Sequence, residues 1–156
     1  MPKRSAGLLL YRVTDGGVVE VLIGHPGGPF WARKDEGAWS IPKGEYVDGE
    51  DPWIAAQREF REEIGFDVPA GARFEFAAVK QPGGKLVTAF AVRGDLDVTH
   101  STSNTFELEW PRGSGKFREY PEVDRVAWLS VAEARLKLLT GQRPLLDRLV
   151  EHLADA

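Results

Sequence analysis

The sequence predicts an α+β sandwich, and three observations carry that expectation. Two apolar, alternating runs near the start read as a strand pair. A capped amphipathic stretch follows as one early helix. More strand pairs come next, and the residues from 131 onward turn to helical periodicity. Strands on both sides of a single helix, with helices at the end, fit a sheet covered on its faces.

Taken in order, residues 5–13 and 18–24 are rich in Leu, Val and Ile and flank Thr14-Asp15-Gly16-Gly17, which reads as a β-hairpin. A loop of His25-Pro26-Gly27-Gly28-Pro29 follows, then Trp39-Ser40-Ile41 as a short strand stopped by Pro42. Residues 52–64 read as a helix, with Asp51 at the N-cap, Pro52 in the first turn and Gly65 as the C-terminal stop. Residues 73–81 and 85–94 pair across Pro82-Gly83-Gly84. The stretch 95–121 is polar and turn-rich, with one strand expected at 105–110. Val123–Val131 reads as a strand, and 131–139 and 144–153 as helices. No internal repeat or linker interrupts the chain, so residues 1–156 are expected to form one domain.

Composition excludes several function classes. At 156 residues and 42% apolar, the chain has enough material for a core without staples. Cysteine is absent, which rules out disulfides, thiolate metal sites and a cysteine nucleophile within the chain. This fits a reducing cytoplasm. The longest early apolar run is too short to span a bilayer and lacks a signal-peptide cleavage site, so no membrane association is expected. Twenty basic against twenty-four acidic residues leave a net charge of −4, the wrong sign for general nucleic-acid binding. The acidity is concentrated. Residues 44–66 hold seven acids and two bases, a charge of −5, and the rest of the chain is nearly neutral.

Much of that charge sits on the early helix. At 100° per residue Trp53, Ala56, Phe60 and Ile64 form one apolar stripe. Glu59, Glu62 and Glu63 form a stripe beside it and repel one another. Glu62 and Glu63 also occupy the last turn, where the helix dipole disfavours each anion by roughly 0.3–1 kcal/mol. Arg58 at i,i+4 from Glu62 relieves part of this. A local rule broken without visible compensation points to a missing partner. Clustered carboxylates are hard ligands suited to Mg²⁺ or Mn²⁺, and the natural substrate of such a site carries a phosphate chain.

Gly44, five residues, Glu50, seven residues and then Arg58-Glu59-Phe60-Arg61-Glu62-Glu63-Ile64-Gly65-Phe66 resembles the Nudix box at every defined position. The lead-in Trp39-Ser40-Ile41-Pro42-Lys43 and the later Trp128-Leu129-Ser130 resemble the same superfamily. The resemblance implies an α/β/α sandwich around a mixed sheet, a loop–helix–loop at the box, and Mg²⁺- or Mn²⁺-dependent hydrolysis of a nucleoside diphosphate linked to another moiety. It implies Glu59, Glu62 and Glu63 as metal ligands, Arg58 as their ion-pair partner, and Glu50 as a brace for the loop. It also implies a backbone carbonyl of Lys43 or Gly44 in the metal's inner shell and a Lys43 side chain in reach of phosphate. A distal acid commonly completes the shell in this family, six residues before the Trp of such a strand, which here is Glu122, with Glu119 as its rival.

For substrate, the stretches 120–129 and 141–147 more loosely resemble diadenosine polyphosphate and nucleoside triphosphate pyrophosphohydrolases. Diadenosine tetraphosphate or a nucleoside triphosphate is therefore expected. ADP-ribose or a nucleotide sugar, hinted at by Pro82, is the alternative, and a nucleotide-binding regulatory module without activity is a second one. Tyr120 with Phe117, and Phe30 with Trp31, are the aromatics available to a base. His25, His100 and His152 look isolated and without a catalytic role.

Overall fold

The computed structural model describes residues 3–76, 78–80 and 84–155. Its centre is a mixed sheet. Strand β1 (Arg4–Val13) pairs antiparallel with β2 (Val19–Pro26) and antiparallel with the three-residue β3 (Lys43–Glu45). Helix α1 (Pro52–Ile64) follows. Strands β4 (Arg73–Glu75) and β5 (Val79–Lys80) both pair antiparallel with β6 (Leu86–Arg93), and β6 runs parallel to β1. Strands β7 (Thr105–Glu109) and β8 (Phe117–Pro121) form a separate antiparallel hairpin. Strand β9 (Val123–Ser130) closes the other edge against β2, so the main order is β4-β6-β1-β2-β9. Helices α2 (Val131–Lys137) and α3 (Arg143–Ala154) end the chain.

Strand alternation divides the core into two layers. Ala6, Leu8 and Leu10 of β1 point to α1 and meet Ala55, Ala56, Phe60 and Ile64. Leu9 and Tyr11 point the opposite way, to a layer containing Leu138, Leu145, Leu146 and Leu149 of the C-terminal helices. The helices thus cover both faces, and the expected α/β/α arrangement is what the chain builds. Phe60 and Ile64 are fully buried. Each such side chain is worth roughly 1.5–3 kcal/mol, which fixes α1, and with it the acidic stripe, against the sheet.

The ends of α1 follow the sequence signals. The Asp51 carboxylate accepts from the Trp53 N–H at 3.2 Å. Gly65 takes a left-handed φ of 86° and its N–H bonds the Arg61 carbonyl, which ends the helix where a side chain would be strained. Trp53, expected on the core stripe, is partly buried and meets Phe90 edge-on, with ring centroids 5.1 Å apart.

Three expectations need correction. Residues 39–41 do not form a strand of their own. Ser40 bridges Gly24 and Trp39 bridges Leu138 as single contacts, and the ladder begins only at Lys43, beyond Pro42. The run 73–81 is not one strand: β4 and β5 are separate, though both pair with β6 as expected. The second half of the 95–121 stretch contains β8, which was not expected. Pro82, with its turn and its hint of a substrate class, lies outside the described residues. Among the described residues no helix is long and apolar enough to cross a membrane.

Candidate active site

The acidic stripe of α1 does not face solvent. Gly44 on β3 lies directly over it, and a Cβ built on Gly44 would stand 2.1 Å from the Glu59 Cδ. Only glycine lets the strand approach the helix this closely. Glu59 is accordingly well shielded, its side chain 13% exposed. Glu63 is held one turn further on, where the Lys43 backbone N–H donates to its carboxylate. The strand β3 is therefore the roof of the cluster, and it exists because β1 offers Gly7 as partner to Lys43 and Ala6 as partner to Gly44.

Arg58 braces the cluster from the outside. Its guanidinium pairs with Glu50, lies 3.5 Å from Glu59 Oε1 and reaches to 4.0 Å from Glu62 Oε1. Glu50 thus holds the loop and the arginine together.

Glu122 joins the cluster through the backbone. The Asn104 N–H donates to the Glu62 carbonyl at 2.7 Å, the Glu122 N–H to the Asn104 carbonyl at 2.8 Å, and the Gly27 N–H to the Glu122 carbonyl at 3.0 Å. The Ile64 carbonyl takes up the Thr102 N–H and the Ser101 hydroxyl. The carbonyls left open at the end of α1 are in this way used to bind the segment that delivers Glu122.

The electrostatics record the crowding. Burial first, then Glu59 and Glu122, push the Glu63 carboxyl up to about 8. Burial and Glu62 raise Glu59 despite Arg58, and burial and Glu62 raise Glu122. Burial, with Lys85 second, holds the Lys43 ammonium below the usual lysine range, against the pull of Glu63, Glu45 and Glu59. Four carboxylates thus sense one another around one space, with too few cations among them.

Among the described residues no three His, Cys, Asp or Glu side chains are placed, as they stand, to hold a metal ion together. The donor set nevertheless fits a hard divalent cation. It offers acidic oxygens only, with Glu59 pressed against Gly44, and a cation between them would offset the burial and the mutual repulsion that raise Glu59, Glu63 and Glu122.

The remaining sequence candidates separate. Tyr120 on β8 faces Phe106 of β7, with centroids 6.1 Å apart, and backs that ring. Glu119 is exposed and opposes Glu107, on the other side of the hairpin from Tyr120. His25, which looked isolated, is fully buried: its Nδ1 is 2.7 Å from Asp124 Oδ1 and its Nε2 2.6 Å from the Lys34 carbonyl. Phe106 and Leu108, not singled out from the sequence, wall a cleft beside Glu122. The alternation of the 105–110 run was the signal available for them.

A fold with this mixed sheet, and a helix whose carboxylates meet a glycine strand, define a known class. The NUDIX domain profile matches residues 1–149, and the chain belongs to the Nudix family. It is a hydrolase acting on phosphorus-containing anhydrides, in a family that generally uses divalent metal ions. The chain is 29% identical to an RNA pyrophosphohydrolase of Rhodospirillum rubrum, over 98% of this chain and 93% of that one. It is 30% identical to an 8-oxo-(d)GTP phosphatase of Mycolicibacterium smegmatis, over 97% of this chain but 42% of that longer one. The structure superposes on a C. elegans Ap4A hydrolase with a TM-score of 0.63 at 21% identity, covering 97% and 99% of the two chains, which shows the shared fold.

Proposed function

We propose that this chain is a Mg²⁺-dependent pyrophosphohydrolase, with Mn²⁺ as a substitute, that cleaves a phosphoanhydride bond in a nucleoside diphosphate linked to another moiety. Diadenosine tetraphosphate and nucleoside triphosphates are the favoured substrates. The observation that carries this reading is Glu59 packed beneath Gly44 with Glu63 and Glu122 close enough to repel it and each other, on a family member whose named relatives are an RNA pyrophosphohydrolase and an 8-oxo-(d)GTP phosphatase. The chain is taken to act as one unit, in the cytoplasm.

In this reading Glu59, Glu62 and Glu63, with the Gly44 carbonyl and Glu122, hold the cation. When bound, the cation supplies neutralisation of the phosphate charge. Arg58 keeps the carboxylates in place through Glu50, Glu59 and Glu62. The Lys43 ammonium, on the strand over the site, would pair with a phosphate oxygen. Glu122, exposed and raised in proton affinity, orients the attacking water and takes its proton. The water oxygen bonds to phosphorus as the bond to the leaving phosphate oxygen breaks.

A panel of dinucleoside polyphosphates, nucleoside triphosphates, ADP-ribose and nucleotide sugars, assayed with Mg²⁺ and with product identification, tests this. Turnover of the first two groups supports it. Preference for ADP-ribose assigns the nucleotide-sugar class instead, and binding without turnover of any member assigns a regulatory module.

A further inference from the structure

Between the loop after β2 and the first strand of the hairpin lies a cleft of about 450 Å³, walled by Pro26, Phe30, Trp31, Phe106 and Leu108. Its one charged wall residue is Glu122. The cleft is therefore apolar along its length and opens at Glu122 onto the carboxylate cluster. Its size is that of an ordinary small-ligand pocket.

The walls are built to keep their shape. The Gly27 N–H bonds the Glu122 carbonyl, and a Cβ on Gly27 would lie 1.9 Å from the Pro121 carbonyl oxygen, so the loop lies flat against the junction of β8 and β9. Gly28 leaves room for the Phe106 ring, whose tip a Cβ there would approach to 3.1 Å. Phe30 and Trp31 meet edge-on at 5.2 Å, and the Lys34 ammonium stands 3.9 Å and 5.0 Å from their centroids. Buried His25 ties the Lys34 carbonyl of this loop to Asp124 of β9, two residues beyond Glu122. Phe30 is nonetheless 58% exposed, an aromatic held in place with much of its surface uncovered.

We infer that this cleft is the nucleobase subsite: one base of the substrate stacks among Phe30, Trp31 and Phe106, and its phosphates run past Glu122 to the cluster. The inference rests on the proposed hydrolase reading and names where that substrate's base is held. A flat, apolar, π-bearing ligand with an anionic tail matches an aromatic cleft that ends at a cation-seeking site. Recognition is by the face of the base, since the side chains of the walls offer stacking surface and one carboxylate. Phe117 takes no part, because its cross-strand partner is Glu109 and it lies on the opposite face of the hairpin from Phe106 and Leu108.

The test is calorimetric binding of AMP and of ribose 5-phosphate, without and with Mg²⁺, to the wild-type chain and to Phe30→Ala, Phe106→Ala and Phe117→Ala. AMP is expected to bind the wild type more tightly than ribose 5-phosphate. Phe30→Ala and Phe106→Ala each weaken AMP about tenfold, the scale of one lost stacking partner, and leave ribose 5-phosphate unchanged. Phe117→Ala is silent. Phe30 is exposed, so its variant keeps the test valid even if Phe106→Ala fails to fold. Equal affinity of the wild type for the two ligands, or an unchanged AMP affinity in Phe30→Ala, overturns the subsite. AMP binding that depends on Phe30 in a chain that hydrolyses nothing in the substrate panel supports the subsite and removes the hydrolase reading instead.

Discussion

The Glu59 carboxylate fills the space that a side chain on Gly44 would need: a Cβ there would lie 2.3 Å from each of its oxygens. Two residues fifteen positions apart in the sequence are thus pressed together by β3 crossing over α1. Gly44→Ala is expected to displace Glu59 and lower turnover on the order of a hundredfold, the cost of a misplacement of about 1 Å at a reacting centre. The fold should survive, since Gly44 is only partly buried and its φ is not in the left-handed region. Wild-type turnover in Gly44→Ala contradicts the placement.

Arg58 serves three carboxylates at once, from a planar guanidinium whose donors are spread over three nitrogens rather than gathered at one point. Arg58→Lys keeps the charge but loses the fork. Mg²⁺ affinity should fall roughly 10- to 100-fold, as when an outer partner of a metal ligand is lost. Titration of activity against Mg²⁺ measures it, and an unshifted midpoint argues against the brace.

Glu122 and Glu119 lie three residues apart but differ in surroundings. Glu122 senses Glu62 and is itself sensed by Glu59 and Glu63, whereas Glu119 opposes Glu107 on the exposed hairpin. Glu122→Gln should lower kcat on the order of a hundredfold. Glu119→Gln should be silent. The reverse pattern would place the wrong acid at the site.

Stability without metal should depend on pH through Glu63. Its carboxyl sits at about 8 in the folded chain, raised by burial and then by Glu59 and Glu122, against about 4.3 in an unfolded chain. Between those values the folded state binds more protons than the unfolded one, so stability falls as pH rises through that window. Glu59 and Glu122, also raised, act in the same direction. Melting temperatures in a chelator should therefore drop from pH 5 to pH 8. Glu63→Gln should flatten the drop, and Mg²⁺ should lessen it by favouring the ionised carboxylates. An equally steep fall in Glu63→Gln means that other groups set the dependence.

Helix α1 was legible in the sequence because every local signal agreed: the Asp51 cap, Pro52, the stripe of Phe60 and Ile64, and the Gly65 stop. The hairpin of β1 and β2 was legible for the same reason. Strand β8 was not. Its Phe117, Arg118 and Glu119 are all exposed, so burial wrote no alternation into them. Residues 39–41 misled because they are apolar for packing against the C-terminal helices, not for a ladder. The carboxylates of α1 could be read from their spacing alone. The buried pairing of His25 with Asp124 could not, since its partners stand 99 positions apart. Phe106 was hidden likewise, as its cleft forms only when the hairpin meets the loop after β2.

The central claim is that the carboxylates of α1 hold the cation that drives hydrolysis. Turnover of the best panel substrate by Glu62→Gln and Glu63→Gln at saturating Mg²⁺ measures this most directly. Both changes keep size and remove ligand charge. The account predicts turnover reduced by a factor on the order of 10² or more. The metal-free Glu62→Gln variant should also melt no lower than wild type, because the change removes a carboxylate from the last turn of the helix. Near-normal turnover in both variants would contradict it.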